Sequence, residues 1–284
     1  MTGLSDSQEL MPNLGPDAQR YLMLASGAPV TRPFHLRWLL PRVCGRSLRR
    51  WWIVYCSSWV VLAVSMAWFA KQHGLSGWTL LAAVLLLLGL PGILGPQVSI
   101  PVQVDLPATA LTLLSVCCIS SEMPSLQVAG YALLIVAACC RETAAVFAAL
   151  WAWSFWPLLV LIVPTLSHLV CARAEQTNHP EWDWIAAHPL RAGIQYHLGR
   201  WRDAKLLLLP WGACIFGLYE LNLWVCVVVL VAYAQLLVAT DSVRLYQHGA
   251  GPVLALATAA LIPVPWIAIV LLLHWLWIVP QERI

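Results

Sequence analysis

Residues 51–170 span 120 positions and carry only five charged side chains: Lys71, Asp105, Glu122, Arg141 and Glu142. No water-soluble fold can be built around a stretch of that kind. The whole chain of 284 residues is 61% hydrophobic and 10% charged, against roughly 45–50% and about 25% in soluble domains. The expected fold class is all-α: a polytopic transmembrane helical bundle with short amphipathic helices at its N-terminus.

The apolar runs fall at about 51–70, 77–94, 106–120, 126–140, 143–170, 205–219, 222–239 and 251–279. The first run, about 20 residues long, suits a bilayer, while 143–170 and 251–279 are too long for one upright helix. Each holds prolines, Pro157 and Pro164 in the first and Pro263 and Pro265 in the second. Each run is therefore one tilted, kinked helix or two short ones, and the total is about eight to ten helices. Residues 1–50 form a polar juxtamembrane segment with amphipathic pieces expected on the membrane surface. Residues 51–284 form the multi-pass domain, with a polar loop at about 171–204. No signal peptide precedes the first run, and no repeat or linker marks a soluble domain. The 17 tryptophans gather near helix ends, as at Trp51-Trp52, Trp182, Trp184 and Trp275 to Trp277, where an indole suits the membrane interface.

A net charge of +3, with the basic residues gathered at Arg42, Arg46, Arg49 and Arg50, argues against nucleic acid as a partner. The nine cysteines lie mostly in apolar runs and show no Cys-x-x-Cys spacing, so they read as small apolar residues. His179, His188 and His197 recur every nine residues, a spacing that does not share a helical face, and no metal site is expected. Nor is a cofactor.

Four short polar stretches remain. Ionisable groups at membrane depth cost about 2.5–3.5 kcal/mol and persist where they are paired, solvated or used. The first runs from Asp17, Arg20 and Tyr21 to Arg32, His35 and Arg37. It offers either a general base beside phosphate-holding guanidiniums or arginines that touch lipid headgroups. The second is Asp105 at the head of an apolar helix, two residues before Pro107, readable as an N-cap or as a site residue. The third is Arg141-Glu142-Thr143, where adjacent charges point to different sides, leaving Arg141 to reach a phosphate or to snorkel. The fourth holds Asp241, Arg244 and Tyr246, with a salt bridge between Asp241 and Arg244 as the simple alternative to a site.

Taken in order, these stretches resemble the polytopic membrane glycosyltransferases of the GT-C class, especially their actinobacterial-type members, which use polyprenyl-phosphate sugars. Asp17, Tyr21 and the Arg37-Trp-Leu-Leu-Pro41 element look like the first catalytic loop of that class. Asp105, then Arg141 with Thr143, and Asp241 with Arg244 before Pro252 are similar to its later elements. The chain as given has no apolar run before residue 51, where the class carries a transmembrane helix. The resemblance implies a bacterial plasma membrane and transfer of a sugar from a polyprenyl-phosphate donor with inversion. Asp17 would be the base, with Arg37, Asp105, Arg141, Glu142, Asp241 and Arg244 binding substrate or phosphate and Tyr21, Arg32 and Tyr246 as further candidates.

Membrane parity bears on this. If residues 1–50 lie on one side, Lys71 lies on the other and Asp105 and Arg141 return to the first. Asp241 joins them only if 143–170 makes two helices. The arginines at 42–50 favour the cytoplasm for that shared face under the positive-inside rule, opposite to the face the class uses. Two other classes stay open: a transporter or flippase, for which inverted repeats are expected and not seen, and a non-catalytic multi-pass scaffold.

Overall fold

The computed structural model describes residues 16–30, 34–93, 102–171, 188, 191, 194–195, 207–220, 222–237 and 242–278. Among these residues the chain is all-helical, with no strand. Helix α1 (Pro16–Ala25), a 3-10 turn at Phe34–Leu36 and α2 (Leu39–Cys44) precede the apolar runs. The longest helix, α3 (Leu48–Gln72), is capped by the Ser47 hydroxyl, which accepts from the Arg50 N–H. It leads to α4 (Gly77–Leu88), whose start is fixed by a Ser76 and Thr79 capping box, satisfying orphan N–H groups of the first turn. Next come α5 (Asp105–Ile119), α6 (Pro124–Cys140) and α7 (Thr143–Trp151). A 3-10 stretch at Trp156–Leu161 feeds α8 (Ile162–Cys171). A second, Leu209–Glu220, is broken at Gly212 with φ 51°. The chain closes with α9 (Leu223–Ala234), α10 (Ser242–Leu261) and α11 (Ile267–Ile278).

Both over-long runs are two helices. The run 143–170 breaks after Trp151, ahead of Pro157, and α10 and α11 bend by 115° across Pro263 and Pro265. Proline lacks the N–H that would continue the ladder and disfavours the helical conformation in the residue before it.

The helices shuttle between two ends of the bundle. At one end Trp51, opening α3, packs with Tyr21, Val102, Val104 and Cys140. At the other, Phe69 lies 6.3 Å from Trp224, and Gln72 Nε2 donates to the Cys117 carbonyl at 3.0 Å. The α8 helix returns to the first end, where Trp38 Nε1 donates to Ser167 Oγ at 2.9 Å. That return is the condition parity required for the fourth polar stretch to meet the others.

The N-terminal pieces do not lie flat as surface helices. Tyr21, Leu24, Val30 and Phe34 are buried against Trp51 and the start of α5, so their apolar faces cap the bundle. A neighbouring protein surface buries them more fully than a lipid interface would.

Beside an apolar core, the bundle buries several polar side chains and exposes many large apolar ones. Ser65, Thr112, Ser115, Gln247 and Thr258 are buried, while Ile53, Val60, Val64, Val128 and Leu276 are 57–71% exposed. Among the described residues α3, at 25 residues, is long and apolar enough to cross a membrane, and α10 with α11 pass that test as a bent pair. The other apolar helices are shorter.

Small residues set the closest crossings. A Cβ on Gly130 would meet the Ile119 backbone N and the Ser115 carbonyl oxygen, each at 2.9 Å, and one on Gly217 would meet the Leu254 carbonyl at 2.6 Å. Such contacts let helix backbones approach closely, a packing that a larger side chain would block. Gly130→Val is expected to destabilise the protein by about 1–3 kcal/mol, read as a lower unfolding midpoint in detergent. An unchanged midpoint would mean that α5 and α6 can separate at no cost.

Candidate functional site: a buried arginine–carboxylate cluster

Seven of the residues singled out in the sequence, Asp17, Tyr21, Arg37, Asp105, Arg141, Glu142 and Arg244, meet at the capped end of the bundle. Asp105, in the first turn of α5, has Val104 as its N-cap, so its carboxylate is not spent on capping. It faces Arg141 through Oδ1, and Arg244 Nε lies 3.1 Å from its Oδ2. Arg141 and Asp105 are 6% and 4% exposed. Isolated charges at that depth would be untenable; paired, each satisfies the other.

The cluster extends outward from that pair. Arg244 Nη2 donates to Asp17 Oδ2 at 2.9 Å, and Arg20 Nη1 donates to Asp17 Oδ1 at 3.1 Å. Arg37 holds Glu142 in a two-pronged contact, Nη2 to Oε1 at 2.8 Å and Nε to Oε2 at 3.0 Å, and Nη1 reaches the Tyr21 hydroxyl at 3.3 Å. The forked guanidinium suits a carboxylate in just this geometry. Phe34 lies beneath both Arg20 and Arg37, its ring centre 4.8 and 5.4 Å from their guanidinium carbons, adding cation–π attraction. Adjacent Arg141 and Glu142 thus serve different partners, as their neighbouring positions in the chain imply.

Burial alone would push the Glu142 carboxyl up. The charge and hydrogen bonds of Arg37 outweigh it and hold the group down at about 2. Arg37 shows the converse: burial opposes its charge, Glu142 and Tyr21 favour it, and its pKa ends well above the ordinary value. Burial, and then repulsion from Arg37, pull Arg141 down to about 10, which leaves it charged at neutral pH.

Behind Arg141 is a small cavity of about 20 Å³ lined by Thr109, Thr143, Phe147, Trp151, Gln235 and His248. It has room for about one water molecule. The Arg141 Nε is buried with no hydrogen-bond partner among the described residues. His248 Nδ1 sits 2.6 Å from Thr109 Oγ1, a pairing in which either atom donates according to the imidazole tautomer. His248 and Thr109 were not among the residues picked from sequence. The signal for His248 was its place four residues after Arg244, which puts both on one face of α10.

Tyr246 stands apart from the cluster. Two residues beyond Arg244, it points to a different side of α10, is fully buried and packs 5.0 Å from both Trp211 and Tyr233, parallel to within 17° of Tyr233. It belongs to the core. Arg32 and Asp241 lie outside the described residues, as do His179 and His197. Among the described residues no group of histidine, cysteine and carboxylate ligands is arranged for a metal.

No family model, no curated protein and no solved structure matches the chain.

Two outcomes test the cluster. Asp105→Asn strands Arg141 without its partner and is expected to cost about 3–5 kcal/mol. Arg20→Ala removes a pair in which both side chains are about a third exposed and should cost within about 1 kcal/mol. Chemical unfolding of the two variants measures both, and equal costs would deny the buried pair its special place. Glu142 titrates lower folded than unfolded. Its contribution is therefore fully present above its ordinary 4.5 and is lost as pH falls through about 2. Unfolding midpoints should decline across that window, and Glu142→Gln should flatten the decline.

Proposed function

We propose that the chain is a multi-pass membrane protein of the glycosyltransferase kind, taking a sugar from a polyprenyl-phosphate donor at the arginine–carboxylate cluster. The observation that carries the reading is the meeting of Asp17, Asp105, Arg141 and Arg244, drawn from positions up to 227 apart, at one end of the bundle. Four guanidiniums, those of Arg20, Arg37, Arg141 and Arg244, stand there against the three carboxylates of Asp17, Asp105 and Glu142. The excess positive charge, beside an Arg141 Nε with no partner among the described residues, suits an added phosphate.

In this reading the acceptor hydroxyl attacks the anomeric carbon as the bond to the phosphate oxygen breaks. The hydroxyl proton passes to Asp17 and polyprenyl phosphate leaves with inversion. Arg37, Arg141 and Arg244 stabilise the charge that builds on the leaving group. Membrane residence rests on composition, on α3 and on the apolar exterior with buried polar groups; exposed apolar surface on that scale marks lipid or protein contact. The exposed Arg42, Arg46, Arg49 and Arg50 sit at the cluster end, so the positive-inside rule assigns that end to the cytoplasm. This differs from the face used by the class the sequence resembles.

A second reading, a non-catalytic scaffold in which the cluster is a clasp, is favoured by the engagement of all three carboxylates and by a cavity sized for water alone.

Two experiments decide between these. Purified protein in liposomes is given short-chain polyprenyl-phosphate sugars and scored for sugar transfer or donor hydrolysis. Asp17→Asn is expected to lower the rate about 10²–10⁴-fold, and Arg37→Gln to lower it less. Full activity in Asp17→Asn removes Asp17 from the role, and no turnover together with no stabilisation by polyprenyl phosphate selects the clasp. For sidedness, Arg46→Cys and Glu122→Cys in a background lacking Cys56 should react with an impermeant maleimide from opposite sides, Arg46→Cys from the cytoplasm. Labelling of both from one side would end the multi-pass arrangement.

A further inference from the structure

We propose that a cleft at the end of the bundle opposite the charged cluster binds the ring of an uncharged saccharide by stacking it on tryptophan faces. The cleft encloses about 390 Å³ and is lined by Phe69, Gln72, His73, Trp151, Trp153 and Trp224, with Ser120 at its rim. That volume falls in the range of small-ligand sites, about 300–1,000 Å³.

The lining selects the ligand class. Among the described residues no charged side chain contributes to it, so there a phosphate finds no cation and a cationic ligand no carboxylate. The aromatic faces carry negative charge density that attracts weakly positive C–H bonds, and one face of a pyranose or furanose ring presents a sheet of such bonds. Its hydroxyls need partners at the edge. Gln72 gives its amide N–H to the Cys117 carbonyl at 3.0 Å, which leaves the amide oxygen as an acceptor, and Ser120 and the His73 ring supply both donor and acceptor atoms. A lipid tail would leave those groups unpaired, at a cost.

The aromatic walls are held in place before any ligand arrives. Trp224 Nε1 donates to the Leu150 carbonyl at 2.8 Å, and Trp151 Nε1 donates to the Gly249 carbonyl at 2.9 Å. His73 stacks on Trp224 with ring centres 5.2 Å apart and planes 14° apart. Fixed rings lose little freedom on binding, which favours affinity.

Trp153 supplies the independent observation. Among the described residues it alone, apart from glycines, has a positive φ, at 49°. For a bulky L-residue that conformation is disfavoured, and where it persists it marks a backbone held for a purpose. The strained turn carries its indole to the cleft, 56% exposed. Glycine would relax the turn at the cost of the ring.

The proposal stands whether or not the charged cluster is catalytic, since the two sites share no residue apart from Trp151 and lie at different ends. The test uses the full chain in phosphatidylcholine nanodiscs and saturation-transfer NMR with glucose, mannose, galactose, arabinose and maltose, with glycerol and indole as comparisons. Transfer to the C–H protons of at least one sugar is expected, with none to glycerol. Trp153→Gly should weaken that binding about three- to tenfold while the unfolding midpoint stays level or rises, a combination that a purely structural tryptophan would not give. Trp224→Ala should weaken it as well, and Trp277→Ala, near the other end, should leave it unchanged. Binding of indole without any sugar, no transfer to any sugar, or unweakened sugar binding in folded Trp153→Gly would overturn the proposal.

Discussion

Asp105 is the group on which the rest of the arrangement depends. It is 4% exposed, and a carboxylate at that depth requires cations to meet it; the chain brings them from the turn before α7 and from α10. Those cations in turn need more negative charge than one aspartate supplies. Arg244 therefore also engages Asp17, which pins α1 over the bundle, and Arg37 ties the following segment to Glu142. The buried partners are obligatory because the cost of an unpaired buried charge exceeds the modest gain of any single pair. A run of local necessities thus fixes the register of α5, α6, α7 and α10 and seats the N-terminal cap.

The apolar part of the molecule obeys a different constraint. A buried apolar cluster that includes Leu62, Met66, Phe69, Leu86 and Leu113 joins the helices, with serine, threonine and glutamine side chains buried among it. Close backbone contact at Gly130 and Gly217 and buried hydrogen bonds fix how those helices meet. Gln247 shows the second device: its amide oxygen accepts from the Gly92 N–H at 2.6 Å, and its nitrogen donates to the Pro210 carbonyl at 2.8 Å. One side chain thereby joins three segments distant in sequence.

Much of this was legible before any coordinates. The helical class follows from composition and run length, and the breaks at 151–156 and 261–264 were foreshadowed by Pro157, Pro263 and Pro265. The candidate residues Asp17, Tyr21, Arg37, Asp105, Arg141, Glu142 and Arg244 do meet, because counting crossings already placed most of them at one end. Partner identity was not legible. Arg244 reaches Asp17, 227 positions off; local spacing carries no information on such long-range pairing. Tyr246 shows the same limit: it follows Arg244 by two residues yet turns to another side of α10, where it packs on Trp211 and Tyr233. The burial of α1 also escaped notice, since an amphipathic helix looks the same whether lipid or protein covers it.

The three carboxylates are not held alike, and this bears on how a closed cluster accommodates an anion in the transferase reading. Asp105 is enclosed by two arginines and Glu142 is gripped by both prongs of Arg37, whereas Asp17 is 31% exposed, with one oxygen on Arg244 and the other on the equally accessible Arg20. A phosphate competing for guanidinium would displace the carboxylate with the weakest hold and the easiest route to water. Taking Arg244 from Asp17 gives the phosphate its countercharge and at the same stroke frees a carboxylate oxygen beside it. A base that is masked while the site is empty and uncovered by the donor would be matched to its substrate by charge alone, without a separate moving lid.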